Sequence, residues 1–218
     1  MYFDPRTEPH NLAHSPYTAL VVPRPIGWIS TLSPAGVVNL APYSFFNLVS
    51  SQPPVVIFSS ATRKDSQRNA EQTGEFVASI ATFDLRAEVN ATSAEFGPEV
   101  SEPEQAGLEM TASRQVRPPR VARSPVALEC KYLKTVEIVG SDGKRNRSSV
   151  VFGEVVGIYI DDAVIVDGMV DVTRIKPIAR LGYMDYCVVD EFFTMARPGE
   201  VDPRADAETA AVAPKGVD

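Results

Sequence analysis

Short apolar runs, each interrupted by Pro, Gly, Asn or Ser, follow one another along most of this chain. They occupy Tyr17–Val22, Gly27–Leu32, Val37–Ala41, Tyr43–Val49, Val55–Ser59, Glu75–Ala81, Val126–Val139, Ser149–Ile160, Ala163–Val166, Met169–Val172 and Tyr186–Met195. Runs of that length at turn-length spacing indicate strands, and many of them indicate a barrel or sandwich rather than βαβ units. The fold class read from the pattern is therefore mainly β with a few short helices. At 218 residues and 44% hydrophobic content the chain can bury one sizeable core, and the even spread of apolar residues favours a single body.

Two strands carry more detail. In Val126–Val139 the residues Val126, Leu128, Cys130, Tyr132, Val136 and Ile138 share one parity and Glu129, Lys131 and Glu137 take the other, with Lys134 the one violation. That alternation predicts a half-exposed strand. Ser149–Ile160 is apolar on both parities, so both of its faces should be covered, one by the barrel interior and the other by a partner subunit. Asp167-Gly168 between apolar runs predicts a hairpin turn.

Helices are expected at Asp65–Thr73, stopping at Gly74, and at Asp84–Phe96, where Leu85, Val89 and Thr92 or Phe96 recur at helical spacing. Ser101 and Glu104 suggest a capping box before Gly107. Otherwise residues 95–125 form a loop-like excursion. From residue 198 to 218 the chain has almost no apolar anchors, which predicts a disordered tail after a domain spanning 1–197.

Charge and motifs exclude several classes. A formal charge of -7 argues against a general nucleic-acid surface. The one basic cluster, Arg114 to Arg123, has two central prolines and reads as a solvated loop. Cys130 and Cys187 lie in apolar surroundings without a CxxC pair and fit small core positions better than reactive thiols. His10 and His14 would share a face only on a helix that Asn11, Leu12 and Pro16 do not support, so no metal is expected. No signal-like leader or membrane-length apolar run is present, which predicts a cytoplasmic chain with incidental sequons at Asn90 and Asn146. There is no GxSxG, Walker-type or GxGxxG motif, and the acidic pairs Asp161-Asp162 and Asp167/Asp171 read as solvated turns.

What remains is Arg24–Asn69, whose end concentrates Ser59, Ser60, Thr62, Arg63, Lys64, Ser66 and Arg68 in an otherwise acidic chain. These donors precede a helix whose free N–H groups would face the same spot, as a phosphate site requires. The same residues also suit an ordinary turn and a solvated helix start. Upstream, Gly27–Leu32 and Asn39–Ser44 offer strand ends where backbone can approach a planar ring closely.

In order, RPIGWIST (24–31), NLAPYSFFN (39–47), PPVVIFSS (53–60), RKDSQRN (63–69), GEFVASIAT (74–82), SPVALECKYL (124–133), FGEVVGIYIDD (152–162) and ARLGYMDYCVVDEFF (179–193) resemble the flavin reductase-like family. The resemblance covers roughly residues 10–197 and implies the FMN-binding split β-barrel. It implies that Ser30 and Thr31 border the flavin and that Asn39, Ala41, Pro42 and Ser44 face its ring edge. Ser59, Ser60, Lys64, Asp65 and Ser66 would serve the ribityl chain and phosphate, and Arg180, Gly182 and Tyr183 would reach the same cleft. The implied cofactor is FMN, with FAD as the variant, and the implied reductant is NADH or NADPH. A homodimer with the flavin at the subunit boundary and a partner oxygenase also follow from the resemblance. The segment Gly182–Tyr186 departs from the short reductases in lacking the histidine often found near their close. Three readings stand beside an NAD(P)H-dependent flavin oxidoreductase: an FMN-binding electron carrier, a pyridoxamine-phosphate-oxidase-like enzyme, and a barrel that has lost its cofactor. Because the cofactor carries the redox chemistry, no acid or base residue is assigned.

Overall fold

A computed structural model describes residues 1–199. The disordered tail expected at 198–218 lies, beyond its first two residues, outside the described residues. The chain opens with a one-turn helix, α1 (Tyr17–Leu20), and strand β1 (Arg24–Pro25). Strands β2 (Gly27–Leu32), β3 (Val38–Tyr43), β4 (Phe46–Ser51) and β5 (Pro54–Ser60) follow, then helix α2 (Asp65–Thr73) and strand β6 (Glu75–Ile80). A 3-10 turn at Phe83–Leu85 leads into α3 (Arg86–Ala91) and α4 (Glu102–Gln105), and β7 (Met110–Thr111) pairs with β8 (Arg120–Val121). The long strands β9 (Val126–Val139) and β10 (Arg145–Ile160) complete the barrel sheet. Beyond them come β11 (Ile165–Val166), β12 (Met169–Val170), α5 (Val172–Ile175), β13 (Ile178–Arg180) and β14 (Tyr186–Val188).

Seven antiparallel strands run in the order β3-β2-β6-β9-β10-β5-β4. The sheet curls around Ile29, Tyr43, Phe46, Val56, Phe58, Phe76, Cys130 and Val151, which form the inner core. A second core lies outside β2. There Trp28 and Leu40 pack with Leu85 and Val89 from the helical segment, Leu108 and Val121 from the excursion, and Ile178 from β13. Both faces of β2 are therefore buried, which explains its unbroken run Gly27–Thr31. Pro42 is tolerated in β3 because β3 is an end strand, where a missing N–H costs no ladder bond.

Several expectations need correction. Tyr17–Val22 is not a strand; its first four residues form α1, and Arg24 donates to the carbonyls of Thr18 and Val21. Only Tyr186–Val188 of the last apolar run is in a strand. Ser101 sits at the N-cap of α4 but makes no side-chain capping bond. The single-parity reading of β9 also fails. A bulge between Lys134 and Tyr132 in the β9–β10 register exchanges the faces, so Tyr132 packs on the core while Val136 and Ile138 point outward, 40% and 38% exposed. Lys134, the parity violation, lies over the Phe152 ring on that outer side.

The excursion is also more fastened than a solvated loop. Buried Glu129 accepts the backbone N–H groups of Arg114 and Gln115, and Glu75 accepts the N–H of Arg117 together with its side chain. Arg120 stacks on Tyr159 at 3.5 Å and Arg123 pairs with Glu88. The helix at Asp65–Thr73 has the expected limits, with Gly74 at φ 75 ending it in the left-handed conformation. Asp167 and Gly168 both have positive φ, as the predicted hairpin turn requires. Among the described residues no helix is long and apolar enough to cross a membrane.

Candidate functional site

The end strand β3, the β5–α2 junction and the segment after α3 enclose a cavity of about 510 Å³. Asn39, Ala41, Pro42 and Ser44 line one side, and Ser59, Lys64, Asp65 and Ser66 line another. Eight of the residues singled out from the sequence thus meet in one space. Thr62 and Arg63 of the hydroxyl and cation cluster join these eight, whereas the sequence reading missed the far wall, Thr92–Phe96 and Glu102, and also Tyr43, Phe45 and Ala61.

The wall is held by buried polar bonds. Glu102 accepts from the Asn39 amide at 2.7 Å and from the Leu40 N–H at 3.0 Å. Asn39 in turn accepts from Ser66 Oγ at 2.8 Å and from Thr31 Oγ1 at 3.3 Å, and Asn69 donates to Thr31. At the other end of the wall, the Trp28 indole N–H donates to Thr92 Oγ1 at 2.9 Å. Burial pushes the Glu102 carboxyl above its ordinary range, its hydrogen bonds partly offset this, and nearby Asp65 adds to the rise. No local signal in the sequence marks Glu102 as inward-facing, because only the tertiary docking of the excursion turns it toward Asn39.

One end of the cavity has the chemistry of an anion cradle. Helix α2 begins there with no side-chain cap, leaving its first N–H groups available, and Ser59, Thr62 and Lys64 surround that start. The hydroxyls are not equivalent. Ser66 donates to Asn39 and Ser60 donates to the Thr62 carbonyl, so these two O–H groups are already committed. Tyr43 provides a further test of fit, because its buried hydroxyl has no hydrogen-bond partner among the described residues. Burial raises its pKa, so the phenol stays protonated and able to donate.

The remaining candidates do not line the cavity. Ser30 is buried and donates to the Pro119 carbonyl, while Thr31 and Ser60 act behind the wall. Arg180 stacks on Tyr186 and donates to the Tyr183 carbonyl. Gly182 packs against Ala19, and the Tyr183 ring meets His14 edge-on at 5.8 Å. These three form a separate corner with the N-terminal arm.

Comparison with known proteins gives this arrangement a context. The family described as flavin reductase like domain matches residues 19–174. A chain of the nitrilotriacetate monooxygenase component B from Bacillus cereus superimposes with a TM-score of 0.82 at 29% identity, covering 89% of this chain and 98% of that one. The 2-nitrobenzoate 2-nitroreductase of Pseudomonas fluorescens gives a TM-score of 0.79 at 26% identity, covering 94% and 100%. An uncharacterized protein of Aquifex aeolicus is 39% identical over 169 residues, which is 75% of this chain and 83% of that protein. The mainly β architecture is that of split-barrel flavin proteins. A match over that much of the length, with the fold to accompany it, places this chain in the flavin reductase like domain family.

Proposed function

We propose that the cavity binds FMN and that the protein is an NAD(P)H-dependent flavin oxidoreductase. The observation that carries this reading is the uncapped start of α2, set beside Ser59, Thr62 and Lys64 at one end of a cavity whose other side is the β3 strand. FMN supplies the redox chemistry when bound, accepting a hydride from a nicotinamide at its ring. The protein's own groups bind and orient. Backbone N–H groups of α2 and Lys64 hold the phosphate, Tyr43 donates its free hydroxyl, and Ala41, Pro42 and Phe45 shape an apolar slot.

The reading extends to assembly and setting. Val136, Ile138, Val156 and Ile158 expose apolar surface on the β9–β10 ladder, which favours a homodimer in which a second copy covers it. The nitrilotriacetate monooxygenase neighbour is a component B, which favours passage of reduced flavin to a partner oxygenase. Free thiols at Cys130 and Cys187 and the need for a reduced nicotinamide fit a cytoplasmic setting.

An electron-carrier role without a nicotinamide site is the second reading, favoured by the Gly182–Tyr186 segment without histidine. Flavin-band absorbance after adding FMN, followed by anaerobic mixing with NADH and with NADPH, tests both. Bleaching supports the oxidoreductase, a yellow protein that does not bleach supports the carrier, and a protein that takes up no flavin refutes both.

A further inference from the structure

Among the described residues, each cation near the anion cradle already has a carboxylate. Arg63 pairs with Glu71 at 2.7 Å, Arg68 pairs with Asp65, and Lys64 pairs with Glu95 at 3.0 Å. Among the charged residues that line the cavity, Arg63 and Lys64 stand against Asp65, Glu95 and Glu102. An anion entering this space meets more negative than positive groups, and it gains a free cation only by displacing a carboxylate.

The three pairs differ in how readily they give way. Glu71 is fixed, since it also accepts from Gln67 at 2.8 Å and from Thr135 at 3.0 Å, and it keeps Arg63 drawn along its helix. Asp65 and Arg68 lie one turn apart on α2 with both side chains largely buried. Glu95 is different. It sits in the coil between α3 and the Gly97–Val100 turn, its side chain is 86% exposed, and it lines the cavity opposite the start of α2.

We infer that Glu95 is a built-in competitor for Lys64, an affinity-setting residue that makes the phosphate-bearing flavin an exchangeable ligand rather than a permanently held one. The inference rests on the proposed FMN site and specifies how that site releases its ligand. With the cavity free of phosphate, Glu95 neutralises Lys64. A phosphate on the cradle takes the ammonium and leaves Glu95 as an uncompensated neighbour of like charge. Release is then assisted by the return of Glu95. No bond is made or broken in this exchange.

The test compares FMN and riboflavin binding to wild type and Glu95→Gln by flavin fluorescence quenching. The substitution is nearly isosteric at an exposed position, so folding is not at stake. The expected result is FMN affinity tighter by about three- to tenfold in Glu95→Gln, from the lost exposed ion pair together with the relieved repulsion. Release should slow to match, riboflavin affinity should stay unchanged, and the FMN difference should shrink as salt is raised. Equal FMN affinity in the two proteins would overturn the inference alone. So would an equal shift for riboflavin, which would assign Glu95 to the packing of the wall. If neither protein binds FMN, the proposed function fails and the inference fails with it.

Discussion

The Asn39 amide and the Glu102 carboxylate meet at 2.7 Å, joining the end strand of the barrel to a segment 63 residues further along the chain. Through Asn39 the bond reaches Ser66 at the start of α2. One buried carboxylate therefore fixes the relative position of the cavity's strand side, its helix side and its far wall.

The pH dependence of stability follows from that burial. The Glu102 carboxyl titrates above its ordinary range in the folded chain, so the fold favours its protonated form. The cost of burying the charge is present in full above the folded value and disappears as pH falls toward the unfolded value. Relative to Glu102→Gln, the wild type should thus gain stability as pH falls from neutral toward the ordinary glutamate range. Urea midpoints of both proteins across that window measure it, and a difference that stays flat or changes in the opposite sense would refute the assignment.

Lys64→Ala should weaken FMN binding by about 1.5 kcal/mol, the low end for a charged hydrogen bond because Glu95 already occupies the ammonium. Riboflavin, which lacks the phosphate, should bind both proteins alike. Titration by fluorescence quenching distinguishes the two ligands, and an equal loss for riboflavin would move the phosphate elsewhere.

Thr92→Val removes the acceptor of the buried Trp28 indole and leaves its N–H unpaired, at a cost of about 1–3 kcal/mol. Trp28 is the only tryptophan in the chain, so its emission reports the change without interference. Unfolding midpoints together with emission maxima check the prediction.

Inside the barrel, a Cβ added at Gly153 would overlap the Phe76 ring, which lies at the centre of the inner core. Gly153→Ala should therefore destabilise the protein by about 1–3 kcal/mol through overpacking, visible as a lower thermal midpoint.

Further along the same ladder, Ile158 is 62% exposed on β10. Ile158→Asp should convert a homodimer into monomers without unfolding them, as read by sedimentation. A wild-type protein that is already monomeric would exclude the dimer.

Much of this was legible in the residues themselves. Apolar runs gave the strands β2, β5, β6, β9 and β10, and Gly74 gave the end of α2, because periodicity and turn chemistry are local. The hydroxyl and cation cluster after Ser59 drew attention to one side of the cavity for the same reason. What could not be read is non-local. The Leu133 bulge that reverses the faces of β9 depends on its pairing with β10. Glu129 alternates like an exposed residue and is buried only because the excursion docks over it. Glu102 lies between Ser101 and Glu104 of the expected capping box and becomes a wall residue only through Asn39, 63 positions earlier.

The far wall is joined to the barrel by side-chain bonds, Glu102 to Asn39 and Trp28 to Thr92, and it contributes no strand to the seven-stranded sheet. Cavity and scaffold are consequently separable in design. The segment from Thr92 to Glu102 can be exchanged for one of different length or charge while the ladder that carries stability stays intact, provided the two anchoring acceptors are kept. The wall's share in shaping the cavity resides in a part that adds nothing to the ladder.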